Sequence, residues 1–243
     1  MVVDLLAQGF DVPKLSFQTI AGHAEELLAK YERLVNAPTE APVEVVDIAT
    51  SVLELQVEFD DLQARLDDRV HGATWLRKGI VMIDHEINPD VWPLMRPRFN
   101  FTLAHELGHW ILHRRFFVDD DGQSLLFDDE DLPDIICRST GRRPPSERQA
   151  DAFAGCLLMP QWLLRPAWRE LTGTDGSISD IEVETRTPHF DPARVSFIDG
   201  DDEHAPDPRR LLRETFCEPL ATQFEVSQEA MRIQLETLGL FEE

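Results

Sequence analysis

The chain has 243 residues, 42% of them hydrophobic, which is enough to bury a sizeable core and excludes a disordered chain. Its 46 acidic against 23 basic residues leave a formal charge of −23, which excludes a surface built to neutralise nucleic-acid phosphates. No apolar run reaches membrane-spanning length, and three cysteines (Cys137, Cys156, Cys217) cannot form a disulfide framework.

The first residues, MVVDLLAQGFDVPK, carry no basic stretch and no small-residue cleavage site, so a cytoplasmic protein with reduced thiols is expected. Residues 16–35 place Ile20, Ala24, Leu27, Leu28, Tyr31 and Leu34 at helical spacing, with Ser16 as N-cap. A proline-bearing loop (36–42) leads to a short helix over 43–53. Leu55, Val57 and Phe59 then alternate with polar residues and predict a strand. GATWL and IVMID, separated by RKG, predict a hairpin over about 72–84. A helix follows over 96–115, with Pro97 tolerated in its first turn. Residues 117–146 hold the acid runs DDD and DDED and read as an irregular insertion. A helix over 146–159 is stopped by Pro160, and a shorter one covers 161–171. Residues 172–210 are loop-rich, with acids at Asp201, Asp202 and Glu203, and 211–241 reads as two helices. The expected organisation is an N-terminal helical arm (1–42), a core (43–172) and a loop-rich segment with C-terminal helices (173–243).

The densest chemistry lies in HELGHWILH, residues 105–113. Positions four apart on a helix share a face, so His105 and His109 present two imidazoles to one point. Zinc takes tetrahedral nitrogen and oxygen ligands, and this pair supplies two. Glu106 stands beside the first histidine. There it can take a proton from a water polarised by the ion and pass it to a departing amine, which is the mechanical content of HExxH. His113 lies eight residues past His105, roughly 12 Å along the axis, too far for both to bind one ion. It reads as a packed or hydrogen-bonded histidine at the mouth of the site.

A third ligand must come from elsewhere, and SERQADAFAGCLLMP (146–160) offers Glu147. Glu147 and Asp151 are one turn apart, and Phe153, Ala154, Leu157 and Leu158 form an apolar stripe that can pack on the first helix. Glu147 would complete a His-His-Glu zinc site with the fourth position open, and Asp151 could accept a hydrogen bond from the far ring nitrogen of a ligating histidine. The same two acids also suit the first turns of any helix, where the dipole favours them, so spacing alone leaves both readings open.

RFNFTLAHELGHWILH (98–113) and ERQADAFAGCLLMP (147–160) resemble the ImmA/IrrE-type metallo-endopeptidases. GATWLRKGIVMID is similar to the strand region these proteins place before the active-site helix. LATQFEVSQEAMRIQLETLGL (220–240) resembles their C-terminal helical part. The likeness covers residues 43–172 well and 211–241 more weakly. It implies an α+β fold with a zincin-like, thermolysin-like catalytic core, a small sheet packed on the HExxH helix, zinc on His105, His109 and Glu147, and Glu106 as general base. It also implies a protein substrate, a helix-turn-helix repressor whose cleavage or inactivation switches on stress or mobile-element genes. A strongly acidic enzyme would attract such a basic partner and disfavour DNA. The rival reading is an acidic binding protein that sequesters the partner without cutting it. Glu106 separates the two, because proton transfer needs a carboxylate there and folding does not.

The remaining polar residues carry weaker signals. The tail has a helix-turn-helix look with Val226 and Ser227 at the turn. Yet residues 218–243 hold six glutamates against Arg232 alone, so no direct nucleic-acid contact is expected. Asp84, His85 and Glu86 read as a surface turn rather than a metal site. His71, His189 and His204 are loop candidates for stabilising an oxyanion, and the sequence does not choose among them. Cys156 has no paired histidine pattern, which argues against a thiol enzyme.

Overall fold

The computed structural model describes residues 12–66, 70–116, 133–138, 144–190 and 207–242, the last three of 133–138 by backbone only. The chain divides into two compact units, residues 1–160 and 161–243. The expected arm therefore belongs with the core, and the division falls at Pro160, before the 161–171 helix rather than after it.

In the first unit, α1 (Phe17–Val35) starts where Ser16 Oγ accepts from Thr19 N–H, and it buries Ile20, Ala24, Leu27, Leu28 and Tyr31. A short α2 (Val45–Asp47) runs on into a π-helical turn, Ile48–Val52. Strand β1 (Gln56–Asp60) and a one-turn helix α3 (Leu62–Arg65) follow. Then come β2 (Val70–Trp75), β3 (Ile80–Asp84) and the long helix α4 (Arg96–Leu112). After it the described chain holds β4 (Ile135–Arg138) and α5 (Pro145–Leu158).

The four strands form one mixed sheet in the order β1-β3-β2-β4. β2 and β3 make the expected antiparallel hairpin, β1 runs parallel to β3, and β4 pairs antiparallel with β2. β4 corrects the expectation of an irregular insertion over 117–146, since its short apolar run gains the backbone partners of β2. Residues 117–132 and 139–143 of that stretch lie outside the described residues. The turn read at Asp84-His85-Glu86 is a 3₁₀ turn (His85–Ile87), but Asp84 is fully buried rather than at the surface. Its carboxylate accepts from the N–H groups of Leu62 and Gln63 and caps α3 from across the sheet. Asp61 and His85 lie close enough for a metal group with it. The Gln63 amide and Glu86 N–H occupy the other Asp84 oxygen, so that carboxylate is already saturated by donors.

α4 lies between sheet and helix, burying Leu103, Ala104 and Leu107. Gly108 sets its distance to α5. A Cβ there would sit 3.0 Å from Ala150 Cα and 3.2 Å from its carbonyl oxygen, so any larger residue would push α5 away by a few tenths of an ångström. α5 buries Ala150, Phe153, Ala154, Leu157 and Leu158, and α1 packs on the same helix.

The second unit contains α6 (Gln161–Thr172), α7 (Asp180–Arg186), α8 (Pro208–Phe216), α9 (Glu218–Gln223) and α10 (Gln228–Thr237). Two expectations change here. The loop-rich 172–210 stretch contains α7, started by a capping box between Ser179 and Glu182. The tail folds as three helices rather than two, because the chain turns at Cys217 between α8 and α9. Asp201, Asp202 and Glu203 lie outside the described residues. Trp168, Phe216 and Phe241 pack edge to face with centroids 5.5–6.1 Å apart. Among the described residues no helix is long and apolar enough to cross a membrane.

Candidate metal centre

The i, i+4 spacing on α4 and the close approach at Gly108 bring three side chains together. His105 Nε2 and His109 Nε2 lie 3.0 Å apart, and the two Glu147 oxygens lie 3.2 Å from one and from the other. The histidines are buried and Glu147 is partly covered, so the three ligand-type atoms converge in a nearly dry corner between α4 and α5. Tetrahedral coordination at 2.0–2.1 Å puts neighbouring ligand atoms about 3.3 Å apart, which is the spacing this triangle approaches. The donor set, two imidazole nitrogens and a carboxylate, suits a borderline divalent ion such as zinc.

The far ring nitrogens are held as well. His105 Nδ1 donates to Asp151 Oδ1 at 3.0 Å, the role the sequence assigns to Asp151 as a possibility. His109 Nδ1 lies 3.0 Å from His113 Nδ1, and His113 Nε2 lies 3.1 Å from Gln149 Oε1. His113 is thus hydrogen-bonded as expected, but it is buried behind His109 rather than at the mouth of the site, because its ring turns toward Gln149 on α5. Burial, with the neighbouring His109 second, pushes its pKa down to about 4, so it is neutral at physiological pH.

Glu106 is completely buried between α4 and β2. Thr74 Oγ1 donates to its Oε2 at 2.6 Å, while Oε1 is a buried oxygen without a hydrogen-bond partner among the described residues. Gly72 makes the space for this carboxylate, since a Cβ there would meet Oε1 at 2.6 Å and Thr102 Cγ2 at 2.9 Å. Burial pushes the Glu106 carboxyl above its usual range, while His109, His105 and the Thr74 hydrogen bond pull it back down. Glu147 goes the other way. Burial opposes its ionisation, but His109 and His105 outweigh that and hold it well below the usual carboxylate range.

Thr74, Gly72 and Gln149 were not singled out by sequence reasoning. The alternation of β2 places Gly72 and Thr74 on one face, but only the packed helix shows that the face meets Glu106. Of the histidines considered for an oxyanion, His71 Nε2 is bonded to Arg98 at 2.6 Å, His189 is exposed in the second unit, and His204 lies outside the described residues. Cys156 is buried on α5. Arg232 in the tail is held by Glu214 at 3.1 Å and Glu236 at 2.6 Å. No protein-family model matches the chain, and no curated protein matches it significantly.

Proposed function

We propose that the chain is a zinc-dependent endopeptidase of the ImmA/IrrE type, acting on a basic, helix-turn-helix repressor. One observation carries the reading: His105, His109 and Glu147 converge beside a buried Glu106, one oxygen of which has no partner among the described residues. Folding gains nothing from that arrangement, because an unpartnered buried carboxylate oxygen is costly. Hydrolysis does use it.

Zinc held by His105, His109 and Glu147 would supply Lewis acidity toward water and the peptide carbonyl. The chain's own groups do the rest. Glu106 takes a proton from the attacking water at Oε1, the oxygen that Thr74 leaves unengaged, and delivers it to the leaving amine nitrogen. Burial, which raises its pKa, suits a group that must accept a proton and hold it until the amine departs. Asp151 holds the His105 ring so that Nε2 faces the cluster. The net charge of −23 favours approach of a basic protein over DNA.

Glu106→Gln is the deciding variant. Zinc content, read by metal analysis, should stay near one ion per chain. Cleavage of the repressor encoded nearest this gene should fall about 10²–10⁴-fold, the usual worth of a positioned acid–base group. If the variant still derepresses its target genes without cutting, the acidic chain works by sequestration and the peptidase reading fails.

A further inference from the structure

Behind His109 runs a line of buried polar groups that ends on the N-terminal segment. Gln149 Nε2 lies 2.9 Å from the Pro13 carbonyl oxygen, and Gln149 Oε1 lies 3.1 Å from His113 Nε2. His113 Nδ1 then lies 3.0 Å from His109 Nδ1. His109, His113 and Gln149 are all at most 6% exposed, so water does not compete for these contacts.

The chemistry of the end group gives the line a direction. A carbonyl oxygen only accepts, so Gln149 must present its NH₂ to Pro13 and its Oε1 to His113. His113 Nε2 must therefore carry a hydrogen and donate. A neutral imidazole has one N–H, so His113 Nδ1 is an acceptor, and His109 Nδ1 must donate to it. That leaves the lone pair of His109 on Nε2, the atom that faces His105 and Glu147. Reversing any link would set two donors or two acceptors against each other.

We propose that Gln149 and His113 are positioning residues, forming a one-way hydrogen-bond relay from the Pro13 carbonyl that locks His109 as its Nδ1–H tautomer with Nε2 ready for a metal. The inference rests on the reading of His105, His109 and Glu147 as metal ligands. It also assigns the two histidines different supports. Asp151 holds His105 with a charge, whereas His109 is held by a neutral chain. Glu106, Glu147 and Asp151 already place three carboxylates around the centre. A neutral support for His109 avoids a fourth, which would weaken the electrophilic character of a bound dication.

The test uses the full chain, zinc alone as probe, and two readouts. Competition with a chelator gives zinc affinity. Long-range ¹⁵N–¹H imidazole spectra, with and without zinc, give the tautomers. His113→Leu removes the acceptor and should weaken zinc binding about 10–100-fold, the usual cost of losing the partner that orients a ligand. His113→Asn, whose Oδ1 stands where Nδ1 was, should restore affinity to within a few-fold of wild type. Gln149→Met should lose affinity in the same direction but by less, and it serves if His113→Leu does not fold. Wild type should show His109 as Nδ1–H and His113 as Nε2–H. Unchanged affinity in folded His113→Leu or Gln149→Met, or His113 found as Nδ1–H, overturns the relay. A wild-type chain that takes up no zinc overturns the metal-site reading instead, and the tautomers in that same sample still decide the relay.

Discussion

Both units bury polar groups between helices, but they finish the work differently. In the second unit the arginines of α8 and α10 are all paired with acids, Arg213 and Arg232 nearly buried and Arg209 and Arg210 partly exposed. Arg209 and Arg213 pair with Asp180, Arg210 with Glu214 and Glu229, and Arg232 with Glu214 and Glu236. Arg213 also reaches Glu236, the Glu242 carbonyl and the face of Phe241. In the first unit the polar groups gather and stay open. Three ligand-type atoms meet, and a buried carboxylate oxygen has no partner among the described residues. A network that serves folding ends with donors matched to acceptors. One proposed to serve chemistry keeps an open edge, and the contrast points to the same residues as the HExxH spacing does.

The contrast predicts a double dissociation. Glu147→Ala should lower zinc affinity by more than about a hundredfold, beyond the loss typical of an orienting partner. In the metal-free chain its melting midpoint should move less than that of any variant breaking the Arg213 network. Zinc titration and a thermal melt check both halves, and an alanine variant that binds zinc as tightly as wild type removes Glu147 from the ligand set. Arg213→Met makes the opposite test. It strips a nearly buried cation from Asp180 and Glu236, which are about one-third exposed, so water recovers part of the loss. The expected cost is about 1–3 kcal/mol, discounted from a fully buried pair, with zinc affinity unchanged. A fall in zinc affinity equal to that of Glu147→Ala would erase the distinction between the units.

What sequence reading could reach follows from this difference. The α4 and α5 residues were legible because four-residue spacing on a helix is itself geometry: His105 with His109, and Glu147 with Asp151, share faces whatever surrounds them. The distance along α4 likewise rules His113 out of a shared ion with His105. Its partner Gln149 was not legible, because that contact joins two helices at a separation set by Gly108. Thr74 and Gly72 were hidden for the same reason. Among the elements, α7 carried a local signal, Ser179 with Glu182 three residues on, that a closer reading for capping boxes would find. β4 carried none, since a short apolar run becomes a strand only when β2 offers an edge. Of the arginine network, Arg210 with Glu214 and Arg232 with Glu236 stand four apart on one helix, but the pairs that join α7, α8 and α10 carried no local signal.

The smallest predicted effect concerns a buried acid in the first unit that belongs to the closed kind. Asp134 Oδ2 accepts from the Leu76 N–H at 2.7 Å, and Asp134 N–H donates to the Thr74 carbonyl, tying the start of β4 to β2. Burial pushes its carboxyl up, while the backbone hydrogen bonds of Leu76 and Arg77 and the charges of Arg77 and Lys78 pull it down. With the folded value above the unfolded one, near 3.9, the folded state holds the proton longer. The contribution of this group to stability is therefore fully present below the unfolded value and is lost as pH rises through the folded one. Asn at this position keeps an oxygen for Leu76 and cannot ionise. Asp134→Asn should thus gain stability relative to wild type as pH rises from 4 toward 8, by less than Arg213→Met loses, with zinc affinity unchanged. Urea midpoints at each pH measure the difference. A wild-type chain that gains on the Asn variant over that range would mean that the hydrogen bonds to Leu76 and Arg77 outweigh burial, and that Asp134 is stabilised as a carboxylate after all.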